Sequence, residues 1–237
     1  MMFIKKRGKK GSHVGVMLSF IIFVSFVVFV YVILRPAVVQ DDKENFLEFI
    51  KEGVVRESSA SLVTSSVNIT EIGDCIQLNG FFGDNGISRN IILKDENGNA
   101  LTANLNGAGG THLRILMGGK RFFRIYESET FVEITSEGPC GQSDYTISGA
   151  KNDSYVFESK ITALISKYNT NYSGLASDLG IPVANGFGFS FNNSEEAEIS
   201  TNEAEILSTS IFAQDFSVQY VTESAGLEVG KIKVRAW

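Results

Sequence analysis

Residues 88–126 read SRNIILKDENGNALTANLNGAGGTHLRILMGGKRFFRIY, and this stretch decides the fold. Apolar and polar side chains alternate through Ser88–Asp95, Ala100–Asn106, Thr111–Met117 and Lys120–Tyr126, the period of half-buried strands. Glu96-Asn97-Gly98-Asn99 joins the first two, and Asn-Gly is the strongest short-range hairpin signal. Gly118-Gly119 predicts a second hairpin with a two-residue loop. Shorter β-rich runs at 62–70, 75–80, 131–136 and 144–149 bring the set to eight strands. One apolar face per sheet must be buried on another, so residues 62–150 predict an antiparallel β-sandwich.

Beyond this block the period becomes helical. Phe157, Ile161, Leu164, Tyr168, Tyr172, Leu175 and Leu179 recur at steps of three or four, and Gly180 with Pro182 forms a stop. Asp153 or Ser154 can cap the start. Asn169–Gly174 is poor helix material, so one long helix and two helices with a bend both fit. Strands are expected at Gly186–Phe191, Thr209–Val221 and Leu227–Ala236, which makes 151–237 an α+β unit.

Upstream, Val14 to Leu34 holds 21 residues without a charge. As a helix they cover roughly 31 Å, matching a hydrocarbon core of about 30 Å. The run is longer than the apolar part of a removable signal peptide, and Arg35–Gln40 offers no Ala-x-Ala site, so it reads as a retained signal-anchor. Lys5, Lys6, Arg7, Lys9 and Lys10 precede it, and all 27 Asp and Glu follow residue 40. The positive-inside rule then places residues 1–13 in the cytoplasm and the C-terminal domain outside the cell membrane. Asp41–Glu57 reads as a short amphipathic helix carrying Phe46, Phe49, Ile50 and Val54 and weakened by Gly53, with Ser58–Ser61 as a hinge. The organisation expected is therefore a basic cytoplasmic segment (1–13), a transmembrane helix (14–34) and a juxtamembrane helix and linker (35–61). The β-sandwich (62–150) and the α+β unit (151–237) follow, and the fold class is α+β.

Lys9-Lys10-Gly11 ahead of an apolar run resembles the processing site of archaeal type IV pilin-like proteins. The resemblance covers about residues 5–34 and implies cleavage between Gly11 and Ser12. It departs at Val16, the fifth mature position, where many pilins carry Glu. A basic flank that only sets topology explains the same residues. Tyr168…Tyr172…Leu175…Leu179-Gly180-Ile181-Pro182, then Gly186-Phe187-Gly188-Phe189 and a last strand ending in Trp237, resembles a group of small-genome archaeal single-pass membrane-anchored surface proteins. That resemblance implies location and architecture and supplies no catalytic residues.

Past residue 36, 15 Lys and Arg stand against 27 Asp and Glu, a net charge of −12. A surface that acidic repels nucleic acid. Cys75 and Cys140, the two cysteines of the chain, are expected to pair outside the cytoplasm. His13 and His112 come with no Ser or Cys motif, and no hydrolase elbow, zinc, phosphate-loop or dinucleotide fingerprint occurs. Gly107–Gly110 reads as a flexible turn. Asp95, Asn97 and Asn99 imitate a calcium loop, but Ala100 and Asn106 stand where Gly and Glu are needed. Glu195-Glu196-Ala197-Glu198, with Glu203 and Glu205, reads as a solvated acidic loop. Sequons begin at Asn68, Asn152, Asn171 and Asn192, about what the composition produces by chance. Asn68, Asn152 and Asn192 are the candidate glycosylation sites, the last two in expected loops.

No catalytic, cofactor or metal residues are assigned. The expected function is that of a membrane-anchored extracytoplasmic structural or interaction protein, pilin-like in its anchor and not an enzyme. Its partners are the bilayer together with identical subunits, another surface protein or a glycan. The alternative is a membrane-tethered, glycosidase-like hydrolase using two of Glu127, Glu129 and Glu133, which share one face if their strand is unbroken.

Overall fold

A computed structural model describes residues 13–84, 87–182, 185–195, 197–202 and 211–237. Helix α1 (His13–Ser58) leads into β1 (Ser59–Ile69), β2 (Cys75–Leu78), the single turn α2 (Phe81–Asp84), β3 (Ile91–Asp95), β4 (Ala100–Leu101) and β5 (Ala103–Asn106). There follow β6 (His112–Leu116), β7 (Phe122–Glu127), β8 (Gly141–Gln142), β9 (Tyr145–Phe157), α3 (Glu158–Thr170) and α4 (Tyr172–Leu179). The chain closes with β10 (Phe187–Asn192), β11 (Glu198–Ser200), β12 (Phe212–Val221) and β13 (Leu227–Ala236). It divides into two compact units, Met1–Phe46 and Leu47–Trp237.

In the first unit, Gly15–Ile33 is a helical stretch of 19 residues with a mean hydropathy of 2.9, long and apolar enough to cross a membrane. The side chains described there are almost all exposed. Gly11 and Ser12 lie outside the described residues.

The second unit is α+β. Its strands form a nine-stranded mixed sheet, β11-β10-β13-β12-β9-β1-β7-β3-β4, and a four-stranded sheet, β5-β6-β2-β8. The small sheet packs on the β9-β1-β7-β3-β4 half of the large one. Between them lie Val67, Ile69, Ile76, Leu78, Phe81, Ile91, Leu93, Leu113, Ile115, Met117, Phe123 and Ile125, each at most 3% exposed. This is the expected sandwich, assembled differently in detail. The Asn97-Gly98 hairpin forms, with Lys94 opposite Ala100. The strand expected at 100–106 then splits at Thr102, leaving β4 in the large sheet and β5 in the small one. Gly118-Gly119 does not close a hairpin: β6 pairs with β2 and β5, whereas β7 pairs with β1 and β3. The two glycines, at φ 57° and 80°, turn the chain from one sheet to the other, so that Leu113 and Ile115 meet Phe123 and Ile125 across the core. Period-two patterning fixes which face is buried, and says nothing of which strand lies alongside.

Residues 131–136 form no strand beyond a single bridge from Ser136 to Leu105. They belong to a strap along the small sheet, held by Leu105 N–H to Thr135 O (2.7 Å), Glu137 N–H to Leu105 O (3.0 Å) and an Arg114–Glu137 ion pair (2.7 Å). Cys140 ends the strap in a disulfide to Cys75, the Cα atoms 5.5 Å apart.

β9 crosses the expected boundary at residue 150 and runs straight into α3, so Asp153 and Ser154 are strand residues and not caps. It touches β12 through two parallel pairs, Tyr220–Val156 and Val221–Phe157. Those pairs join the sandwich half of the sheet to the C-terminal half. The helical stretch is two helices: Asn171 ends α3, and its Oδ1 accepts the Gly174 N–H to cap α4 (3.0 Å). Gly180, left-handed at φ 72°, closes α4, with Ile181 N–H on Ala176 O (2.8 Å). Against these helices the C-terminal sheet buries Phe187, Phe189, Phe191, Ile232 and Val234.

The end of α1 buries Leu47, Ile50 and Val54 and leaves Phe49 exposed. Gly53, a poor helix former, stands where a Cβ would come within 3.2 Å of the Leu179 side chain. Ser58–Ser61 is no hinge. The Ser58 and Ser59 hydroxyls donate back to Val54 O and Val55 O (2.6 Å each), satisfying terminal helix carbonyls while the backbone enters β1 directly.

Candidate functional site

The β12–β13 hairpin sets Tyr220 opposite Glu228, and β10 ends beside them at Asn192. Strand alternation turns Tyr220 and Glu228 toward the helices, where Phe191 stacks edge-on against the Tyr220 ring (5.0 Å between centroids). The Tyr220 hydroxyl donates to Glu228 Oε2 (2.8 Å) and accepts the Ser194 N–H (3.1 Å). The Ser194 hydroxyl donates to the same carboxylate. Around this network opens a cleft of about 540 Å³ whose lining includes Glu158, Asn193, Glu195, Thr222 and Glu223. Asn193 shapes its wall, with Oδ1 accepting the N–H of Glu195 (3.1 Å) and Ala197 (3.0 Å) and Nδ2 donating to Glu158 (3.4 Å).

The electrostatics follow from these bonds. Donation from Ser194 and Tyr220 holds the Glu228 carboxyl below the usual range for Glu, with Lys94 assisting. Burial pushes the Tyr220 phenol up. Partial desolvation pulls Lys94 down against the pull of Glu228, while its ammonium donates to Ala225 O (3.0 Å). The carboxyl and the phenol thus shift away from neutral pH and the ammonium toward it. Both hydroxyl hydrogens are given to Glu228, so the network fixes one carboxylate in the wall of the cleft. Among the described residues, no three His, Cys, Asp or Glu side chains cluster as metal ligands do.

The residues singled out by sequence lie elsewhere. β7 ends at Glu127, so Glu127, Glu129 and Glu133 share no strand face. Glu127 accepts the Ser88 N–H (2.7 Å), Glu133 lies 3.4 Å from Arg89, and Glu129 lies 3.7 Å from Lys160. Asp95, 2% exposed, accepts from Asn97 N–H (2.9 Å) and Asn99 N–H (2.8 Å) and pairs with Lys120, so it closes its hairpin. His112 Nδ1 accepts the Gly80 N–H (3.1 Å). Its ring lies where a Cβ on Gly107 would sit, at 2.4 Å, and Gly107 has φ 81°.

Of the sequons, Asn68 is an exposed residue within β1. Asn152 falls in β9 rather than a loop and accepts from Ser61 Oγ (2.5 Å). Asn192 is the last residue of β10 and is half-buried. Glu196, Glu203 and Glu205 lie outside the described residues.

Sequence reading missed Ser194, Tyr220 and Glu228 as a group because no spacing motif joins them. The one available signal was the pair of strands around residues 222–226, which places Tyr220 and Glu228 side by side. No protein-family model, no curated protein and no solved structure matches this chain.

Proposed function

We propose that this chain is a single-pass membrane-anchored protein whose unit from Leu47 to Trp237 stands outside the cytoplasm and works by contact, with identical subunits as its partner. The observation that carries the reading is the Gly15–Ile33 helix, 19 residues with none of its span buried, behind a basic N-terminus. The cleft around Glu228 supports a contact role, because hydrogen bonds from Ser194 and Tyr220 hold its carboxylate in place as a fixed charge. The pilin-like part of the proposal rests on Lys9-Lys10-Gly11 directly ahead of the apolar span.

The test is the intact mass and N-terminal peptide of the protein purified from its own membrane. A mature chain beginning at Ser12 supports prepilin-type processing and subunit assembly. A chain beginning at Met1 or Met2 overturns the pilin-like part. A chain recovered without residues 14–34 overturns the anchor.

A further inference from the structure

The four sequons are alike in sequence, but the fold leaves their acceptor nitrogens in different states. A glycan is bulky and polar, so the carboxamide that carries one must face solvent with its nitrogen unengaged. Asn171 is committed to α4: its Oδ1 accepts the Gly174 N–H (3.0 Å), and its Nδ2 lies 2.4 Å from where a Cβ on Gly174 would stand. Turning that carboxamide outward uncaps the helix. Asn192 is half-buried and lies in the ladder between Glu198 of β11 and Lys231 of β13. The hydroxyl that completes its sequon, Ser194, donates to Glu228 and meets the Tyr220 hydroxyl (3.2 Å). Asn152 is exposed, but Ser61 Oγ donates to its Oδ1 (2.5 Å). That bond draws the amide lone pair toward oxygen and makes Nδ2 a poorer nucleophile. Asp153 also sets a carboxylate beside this acceptor.

Asn68 differs at each point. Val67 and Ile69 are at most 3% exposed in the core between the sheets, so alternation turns Asn68 to the face opposite the small sheet. It is exposed and makes no side-chain hydrogen bond among the described residues. Its partners in register are Phe122 of β7 and Thr146 of β9, neither of them acidic. β1 ends at the next residue, which places the acceptor at the rim of the sheet. Thr70 is exposed; its hydroxyl donates to Asp144 O (2.9 Å) and keeps its own lone pairs to accept.

We propose that Asn68 is an N-glycosylation site, modified from an oligosaccharide carried on a polyprenyl phosphate outside the membrane. Asn68 Nδ2 bonds to the anomeric carbon of the sugar as the bond from that carbon to a phosphate oxygen breaks. The phosphate leaves with the electron pair, and one Nδ2 proton passes to a base of the transferase. A glycan at this position keeps other subunits off the face that carries Phe122 and Thr146, so subunit contacts use other surfaces. The assignment rests on the extracytoplasmic placement proposed above.

Peptide mass spectrometry of the full-length protein purified from its own membrane tests it. The tryptic peptide 57–89 should carry added mass in whole saccharide units, and the peptides holding Asn152, Asn171 and Asn192 should not. Asn68→Gln and Thr70→Ala should each abolish that mass, whereas Thr70→Ser should retain it. Both losses fall on an exposed position, and recovery of either variant in the membrane fraction shows that it persists there unglycosylated. A bare peptide 57–89 in wild-type protein whose Ser148→Cys variant labels from outside intact cells overturns this assignment alone. A glycan on Asn152, Asn171 or Asn192 in place of Asn68 does the same. If Ser148→Cys labels only after permeabilisation, the extracytoplasmic reading falls and this assignment falls with it.

Discussion

Replacing Tyr168 with Phe removes one oxygen and leaves the ring. Tyr168 is 5% exposed, and its hydroxyl donates to Phe187 O at 2.6 Å. Gly186 and Trp237 exchange both of their backbone hydrogen bonds (3.1 and 3.0 Å), so the next residue, Phe187, directs its N–H and C=O away from β13. On that side β11 reaches no further than Ser190–Asn192, and the Tyr168 hydroxyl meets the carbonyl that the ladder leaves. The ring keeps its edge-on contacts with Phe187, Tyr172 and Phe189, at centroid distances of 5.4, 5.0 and 6.1 Å. What is lost is a short buried hydrogen bond together with the solvation of its acceptor, about 1–2 kcal/mol. Tyr172→Phe is the comparison: its hydroxyl is 3.5 Å from Asn185 O, also meets the Phe187 backbone, and belongs to a residue 38% exposed, so water replaces what is lost and the cost should stay below that of Tyr168→Phe, at about 0.5 kcal/mol. Urea unfolding of the full chain in detergent reads both, because the single tryptophan, Trp237, lies at the end of this sheet. Equal costs for the two variants, or no cost for Tyr168→Phe, would refute the claim that a helix side chain completes the sheet.

Three further outcomes are expected. Cys75→Ser with Cys140→Ser opens a loop spanning 65 positions and should cost about 4 kcal/mol by chain entropy, read as a lower urea midpoint. Gly186→Ala puts a Cβ 2.1 Å from the Trp237 indole nitrogen, so the indole must move; emission should shift and stability fall by about 1–3 kcal/mol. Glu228 titrates below its ordinary value in the folded chain, so its contribution is complete above the unfolded carboxylate pKa and is lost as pH falls through the folded value. Glu228→Gln should therefore lower stability at neutral pH and change it little at low pH, so that the acid limb of stability against pH flattens.

The fold was legible where local patterning reports it. Alternation located the strands, Asn97-Gly98 marked its hairpin, and Gly180-Ile181-Pro182 marked the end of α4. The errors of strand pairing share one cause: period two reveals the buried face of a strand and not its neighbour, so Gly118-Gly119 reads as a hairpin when it is a corner between sheets. The junction at Tyr220–Val156 and Val221–Phe157 was invisible for the same reason, being a long-range parallel contact without a turn to announce it. The site was less legible still. Ser194, Tyr220 and Glu228 belong to separate elements, and ordinary residue types converging through strand register leave no spacing to read. Gly53 ran the other way: propensity argued against it in a helix, and close packing on Leu179 explains it.

The central claim is that the unit from Leu47 to Trp237 stands outside the cytoplasm on a single membrane span. Cys75 and Cys140 are paired, so one added cysteine reports alone. Intact cells carrying Ser148→Cys or Ser12→Cys should be treated with a membrane-impermeant maleimide, before and after permeabilisation. The account predicts that Ser148→Cys, at an exposed position of β9, labels in intact cells and that Ser12→Cys labels only once the membrane is opened. The reverse pattern, or recovery of the protein in the soluble fraction, would contradict it.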